Sequence, residues 1–304
     1  MFLKRLAAAA CATSLLLSGC ATSSADAEGD GKLQVSAAFY PFQFVAERVG
    51  GDQVKVTNLT KPGSEPHDLE LTPQQVASFA DADLAVLQSG FQPAVDSAVA
   101  QVPPKRTVDA ASFLTFLTAD TDEHTADHEH EAKDPHTWLD PTNLVTVAEH
   151  VRDALSEARP DAEAEFTANT DALIKELTEL DSEFATGLIK CERTTFVTSH
   201  AAFGYLAHRY GLTQVGIRGL EPDVEPTAAR IAEVQQLATA EGLTTIFFET
   251  LVSPVVSQSI AGDLGLKTDV LDPIEGISAE SRGTDYLEVM RANLSALRTA
   301  NQCQ

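Results

Sequence analysis

The sequence predicts an α/β fold: two Rossmann-like βα lobes joined by one long rigid helix, with a ligand cleft between the lobes. Three observations predict it. From Leu33 onward, short apolar runs alternate with amphipathic segments, the order expected of parallel βαβ units. The alternation begins again near Thr194. Between the two lies one unbroken apolar stripe of helical period, about residues 161–189.

In the first lobe, residues 33–160, Val35, Ala37 and Phe39 begin a strand, and Phe42 to Val49 reads as a helix stopped by Gly50-Gly51. Val54 to Leu59 is a second strand, followed by a Pro/Gly loop that carries His67. Thr72-Pro73 marks a helix start, with a cap residue followed by proline in the first turn. Leu84 to Leu87 is a third strand, and Val108 lies in a short fourth one. Asp140-Pro141 opens a helix that runs to Ala158 and is ended by Pro160. In the connecting segment 161–189, Phe166, Leu173, Leu177, Leu180, Phe184 and Leu188 form one apolar face. About 29 residues of helix at 1.5 Å each would reach about 43 Å, enough to run past both lobes. A coiled-coil dimer is the rival reading, and a single isolated stretch makes it the weaker one.

In the second lobe, residues 190–304, strands are expected at Thr194–Thr198, Gln214–Ile217, Thr245–Glu249 and Asp269–Leu271. Helices are expected at Ala201–Tyr210, Thr227–Ala240, Val255–Leu264 and Asp285–Thr299. In such sheets a ligand sits near the carboxyl ends of the strands.

The N-terminus reads as an export signal. Lys4 and Arg5 precede an apolar stretch from Leu6 to Leu17, which is too short to span a bilayer comfortably. Leu17-Ser18-Gly19-Cys20 resembles a bacterial lipobox, which makes residues 1–19 a lipoprotein signal peptide and Cys20 the lipidated new N-terminus. Residues 20–32 are small and polar, a flexible tether. The protein is therefore expected to be extracytoplasmic, lipid-anchored to the outer face of the cytoplasmic membrane. With Cys11 and Cys20 accounted for, Cys191 and Cys303 remain, and an oxidising compartment favours one disulfide between them over two separate thiols.

The formal net charge of the chain is −24; removing residues 1–19, with Lys4, Arg5 and no carboxylate, takes it to −26. No basic patch survives, which argues against a nucleic-acid partner. An acidic surface attracts cations without naming one.

Three histidines follow predicted strands or the loops beyond them. His67 sits in Glu65-Pro66-His67-Asp68, His136 in Asp134-Pro135-His136-Thr137-Trp138, and His200 after the strand Thr194–Ser199. A neutral imidazole is a preferred ligand of zinc and its transition-metal neighbours. Asp68 and Asp134 could each hold the second ring nitrogen, and Glu249 could stand behind a ligand. The spacings are long, so only the fold could unite the three; taken singly, each also reads as a loop or core histidine. His150 and His208 read as surface residues of helices. Residues 120–131 mix His124, His128 and His130 with carboxylates and lack apolar periodicity, as either a weakly metal-binding loop or a solvated acidic insertion.

Four ordered segments carry a family resemblance: Glu65-Pro66-His67-Asp68 with Leu71-Thr72-Pro73; Asp134-Pro135-His136-Thr137-Trp138-Leu139-Asp140-Pro141; Thr198-Ser199-His200-Ala201-Ala202-Phe203-Gly204-Tyr205; and Leu271-Asp272-Pro273-Ile274-Glu275-Gly276. Over essentially the whole mature chain, the sequence resembles the metal-binding lipoproteins of bacterial zinc and manganese ABC importers. The resemblance implies a metal site in the cleft, with His67, His136 and His200 as ligands and an acidic fourth ligand. Glu275 is preferred for that place, with Asp272 the alternative. It also implies an ABC permease and its ATPase as partners for a monomeric protein. Manganese-preferring relatives look to carry a carboxylate where this chain has His200, and a His-rich site suits zinc. The implied cargo is Zn2+, with Mn2+ or iron second. A rigid connecting helix would leave loading to local loop movement around His67 and His136.

Two other classes stand beside this reading. Three histidines with an open fourth position would be the arrangement of a catalytic zinc, but no surplus acid–base set accompanies them, and Glu275 or Asp272 would close the site. A surface adhesin is the third class, and no binding motif supports it.

Overall fold

The computed structural model describes residues 31–118 and 133–304. The signal peptide, Cys20, most of the tether, and His124, His128 and His130 lie outside the described residues.

The first sheet is wholly parallel, in the order β2-β1-β3-β4, from β1 (Leu33–Ala37), β2 (Val54–Asn58), β3 (Leu84–Leu87) and β4 (Thr107–Asp109). The inner strand β3 is buried at all four positions, as a strand covered on both faces should be, whereas the edge strand β2 alternates exposed residues with buried or half-buried ones. Its helices are α1 (Tyr40–Gly50), α2 (Pro73–Ser78) and α3 (Pro93–Gln101). Strand β1 stops at Ala37, short of Phe39, because Pro41 in the first turn of α1 turns the chain into helix; Phe39 instead caps that helix and is buried. Helix α3 was not expected from the sequence: its nine residues are too few to show a clear period. At α2, the Thr72 hydroxyl accepts from the Gln75 amide while the Gln75 side chain accepts from the Thr72 amide, closing a capping box.

Helix α4 (Pro141–Ala158) opens on Asp140, whose carboxylate accepts from the Thr142 amide. The long helix α5 covers Glu163–Gly187, about 37 Å. It is shorter than the predicted 161–189 because Pro160–Ala162 forms a 3-10 turn and Leu188 caps the other end. All six residues of its predicted apolar stripe are buried. The helix packs on α1 and α4 and also on α9 (Tyr286–Asn301) of the second lobe. Ion pairs divide the same way: Arg48 meets Glu176 at 2.7 Å from the first lobe, while Arg209 reaches Asp181 at 2.6 Å and Arg291 reaches Glu183 at 2.9 Å from the second.

The second sheet repeats the topology, order β6-β5-β7-β8, all parallel, from β5 (Thr195–Thr198), β6 (Thr213–Gly216), β7 (Thr245–Phe248) and β8 (Lys267–Val270). Its helices are α6 (Gly204–Tyr210), α7 (Ala228–Ala240), α8 (Val255–Leu264) and α9. The helix expected from Ala201 starts three residues later, because residues 201–203 form the turn that follows His200. The largest apolar core runs through both lobes, from Phe39 and Trp138 to Phe203, Phe247 and Ile274, so the floor of the cleft is continuous hydrophobic packing. Cys191 and Cys303 are disulfide-bonded. No helix among the described residues is long and apolar enough to cross a membrane.

Candidate metal centre

In each sheet the chain leaves the central strand to one side and returns on the other, the switch point at which open parallel sheets leave a crevice. His67 follows β2, His200 follows β5 by two residues, and Glu275 follows β8 by five. His136 lies just before α4. All four side chains are buried and converge on one point, where each offers a ligand atom.

The inward atoms define a compact figure. His136 Nε2 lies 3.3 Å from both His67 Nε2 and His200 Nε2. Glu275 Oε1 lies 3.4 Å from His67 Nε2, 3.4 Å from His136 Nε2 and 3.5 Å from His200 Nε2. Five of the six edges thus measure 3.3–3.5 Å, and all four atoms lie within 4.8 Å of one another. A regular tetrahedron with edges of about 3.4 Å has its vertices about 2.1 Å from its centre, the bond length of zinc to imidazole nitrogen and carboxylate oxygen.

Each ring is oriented from behind by a carboxylate. His136 Nδ1 donates to Asp134 at 2.7 Å, His200 Nδ1 to Glu249 at 2.8 Å, and His67 Nδ1 to Glu221 at 3.1 Å. An ionised carboxylate only accepts, so Nδ1 carries the hydrogen and Nε2 of a neutral ring turns its lone pair to the centre. Glu275 turns its carboxylate to a buried position that a divalent cation would fill, while Asp134, Glu249 and Glu221 stand behind the rings, and charge is tolerated in such a place only when paired.

Asp272 lies elsewhere. Its carboxylate accepts from the Ile274 amide at 2.8 Å, the Ser281 hydroxyl at 2.9 Å and the Thr250 hydroxyl at 3.2 Å. It shapes the turn that aims Glu275, and that turn passes through Ile274 in the left-handed region, φ 57°. A β-branched residue rarely adopts that conformation, and here the buried Ile274 side chain and the Asp272 hydrogen bond hold it.

Without metal, the centre is a set of coupled acids and bases. Burial opposes an imidazolium at His67, but hydrogen bonds to Glu221 and Glu275, with the charges of Glu275 and Glu65, raise it to about 9. Burial likewise opposes a charged His200, and the Glu249 carboxylate outweighs it, holding the ring well above its usual value. Burial also opposes the Glu275 carboxylate, yet hydrogen bonds from His136, His200 and His67 keep it well below the ordinary carboxylate range. Glu65, its side chain largely buried and near the charge of Glu275, is raised to about 7.

A family model described as the periplasmic zinc-uptake complex component A matches residues 35–300. The chain belongs to this family. The zinc-binding lipoprotein AdcA of Streptococcus pneumoniae is 37% identical over 282 residues, 89% of this chain and 56% of that protein. The chain thus spans just over half the length of the AdcA proteins it matches. The high-affinity zinc uptake system protein ZnuA of Bacillus subtilis is 35% identical over 299 residues, 93% of each chain. The Zn(II)-bound ZnuA-like domain of S. pneumoniae AdcA superposes with a TM-score of 0.76 at 36% identity, covering 89% of this chain and 99% of that one. The laminin-binding protein Lmb of Streptococcus agalactiae, described as having adhesin and metal-transporting activity, gives a TM-score of 0.78 at 31% identity over 88% of this chain and 99% of that one.

Within this family fold, the structure brings some of the residues singled out in the sequence together and leaves others apart. His67, His136, His200 and Glu275 come together; Asp134 and Glu249 stand behind two of them. Asp68 does not hold a ring nitrogen: it is exposed and bonds to Asp223, which raises its pKa. Its intended place belongs to Glu221. Nothing in Glu221-Pro222-Asp223-Val224-Glu225 distinguishes that glutamate from its acidic neighbours. His150 and His208 are exposed, as expected of surface residues.

Proposed function

We propose that this chain is the extracytoplasmic zinc-binding component of an ABC importer, which captures Zn2+ between its lobes and hands it to a membrane permease. The observation that carries this is the tetrahedral set of three imidazole nitrogens and one carboxylate oxygen. On this reading His67, His136, His200 and Glu275 are the ligands, and Asp272 is not one. Three nitrogens and one oxygen in a tetrahedron suit zinc, whereas manganese favours an oxygen-rich octahedral site. Glu275 takes the fourth position that a catalytic zinc would leave to water, which supports carriage of the ion over chemistry at it. The family relatives named for zinc binding and zinc uptake support the cargo and imply the permease and its ATPase as partners. Anchoring through a lipid on Cys20, and low-affinity capture by His124, His128 and His130, complete the proposal.

The test is calorimetric titration of metal-stripped protein, residues 21–304, with zinc and with manganese. One tight zinc per chain is expected, lost in His67→Ala, His136→Ala, His200→Ala and Glu275→Ala. Asp272→Ala should weaken binding while keeping the one-to-one stoichiometry. Tighter manganese than zinc binding, or zinc retained in Glu275→Ala at wild-type affinity, would refute the assignment.

A further inference from the structure

The three histidines are held unequally. Asp134 and Glu249 are 4% and 3% exposed, and the rings they orient, on His136 and His200, have no measurable exposure. Both carboxylates are also locked by the backbone they serve: Asp134 accepts from the His136 amide at 2.9 Å, and Glu249 from the His200 amide at 3.1 Å. Glu221 differs on each count. Its side chain is 62% exposed, it meets His67 through one 3.1 Å contact, and it lies 154 residues along the chain, on the other lobe. His67 is itself the most exposed of the three histidines, at 6%.

Glu221 is nevertheless well placed. The Ala201 amide donates to the Gly219 carbonyl at 2.9 Å, so the loop carrying Glu221 is pinned two residues upstream to the residue that follows His200. Pro222 beside it is buried. The second lobe thereby reaches over the cleft mouth and grips a ring supplied by the first. On the first lobe, the loop around His67 runs through exposed residues from Lys61 to Ser64 and again at Asp68. Water can compete for the Glu221 carboxylate, and an exposed pair of this kind is individually weak. Asp134 and Glu249 face no such competition.

We propose that Glu221 is the latch of the centre: a positioning residue that holds His67 toward the metal from across the cleft, so that zinc leaves by rupture of the His67–Glu221 pair while His136 and His200 stay in place. This rests on the zinc-binding reading above and adds the order in which the ligands let go. Opening then needs the movement of one ring and one exposed carboxylate, without the two lobes separating along α5.

The experiment is zinc transfer from the loaded full-length chain to excess chromophoric chelator in a stopped-flow instrument, for wild type, Glu221→Gln and Glu221→Ala. Each is expected to keep one zinc. Release should quicken about tenfold in Glu221→Ala, the low end of the range for loss of a carboxylate behind a ligating histidine. Glu221→Gln, which keeps an acceptor, should fall between. In nitrogen-15 spectra of the zinc-loaded imidazoles, Glu221→Ala should shift the His67 ring signals and leave those of His136 and His200 unmoved. Release within twofold of wild type in Glu221→Ala overturns the proposal, as do three rings shifting together. A wild-type chain that takes no zinc removes the zinc-binding reading itself, and this proposal with it.

Discussion

The indole Nε1 of Trp138 donates to the carbonyl of Pro273 at 2.7 Å, tying the segment that carries His136 to the turn that carries Glu275. Both residues are buried, and the Tyr286 hydroxyl donates to the Trp138 carbonyl at 2.7 Å, so α9 holds the same junction. The distance between two inward-facing side chains of the centre is thus set by a hydrogen bond that neither makes.

Trp138→Phe removes the donor and leaves the Pro273 carbonyl buried without a partner. A loss of about 1–3 kcal/mol in stability is expected from that orphaned acceptor, together with weaker zinc binding. Urea unfolding of metal-free protein followed by circular dichroism measures the first, and calorimetry the second. Unchanged stability would mean that the loops are fixed by other contacts.

Gly204, at the start of α6, lies against Asp134. A Cβ there would press on Asp134 Oδ2, the carboxylate whose other oxygen holds both the ring and the amide of His136. Gly204→Ala is therefore expected to cost about 1–3 kcal/mol by overpacking and to lower zinc affinity, although residue 204 touches no metal. Asp134→Ala should weaken zinc binding about 10–100-fold. If Gly204→Ala binds zinc like wild type, the Asp134 carboxylate has room to yield.

Zinc binding should release protons at neutral pH. His67, raised to about 9 without metal, is an imidazolium at pH 7, and its Nε2 proton must leave before zinc can bind there. Affinity should therefore fall as the medium is acidified. Proton release, measured by calorimetry in buffers of different ionisation enthalpy, should decline as pH rises through about 9. The sign for metal-free stability is opposite: the contribution of charged His67 is full below its unfolded pKa, about 6.5, and is lost as pH rises through about 9. Zinc uptake with no proton release at pH 7 would contradict this.

The Cys191–Cys303 bridge closes a loop with a sequence separation of 112. Replacing both by serine should lower stability by about 2–4 kcal/mol. The bridge is assisted by backbone bonds from Glu192 to Asn301 and from Gln304 to Lys190, which would persist in part. Zinc affinity should be unaffected, because the bridge joins ends remote from the centre; thermal melting and titration of the double variant separate the two effects.

Much of this protein is determined by local sequence. The alternation of apolar runs dictates two parallel sheets, the Phe166-to-Leu188 stripe dictates one long helix, and Thr72-Pro73 and Asp140-Pro141 mark their helix starts, because periodicity and capping act over a few residues. The family motifs, read residue by residue, named His67, His136, His200 and Glu275. Tertiary structure decided what depends on residues far apart in the chain. It turned Asp272 into a support for the Ile274 turn and moved Asp68 to the surface. It also brought Glu221 across 154 residues to His67. A carboxylate that orients a ligand needs only a direction and a distance, and any exposed loop can supply those. No spacing in the sequence records which loop the fold will lay over the cleft.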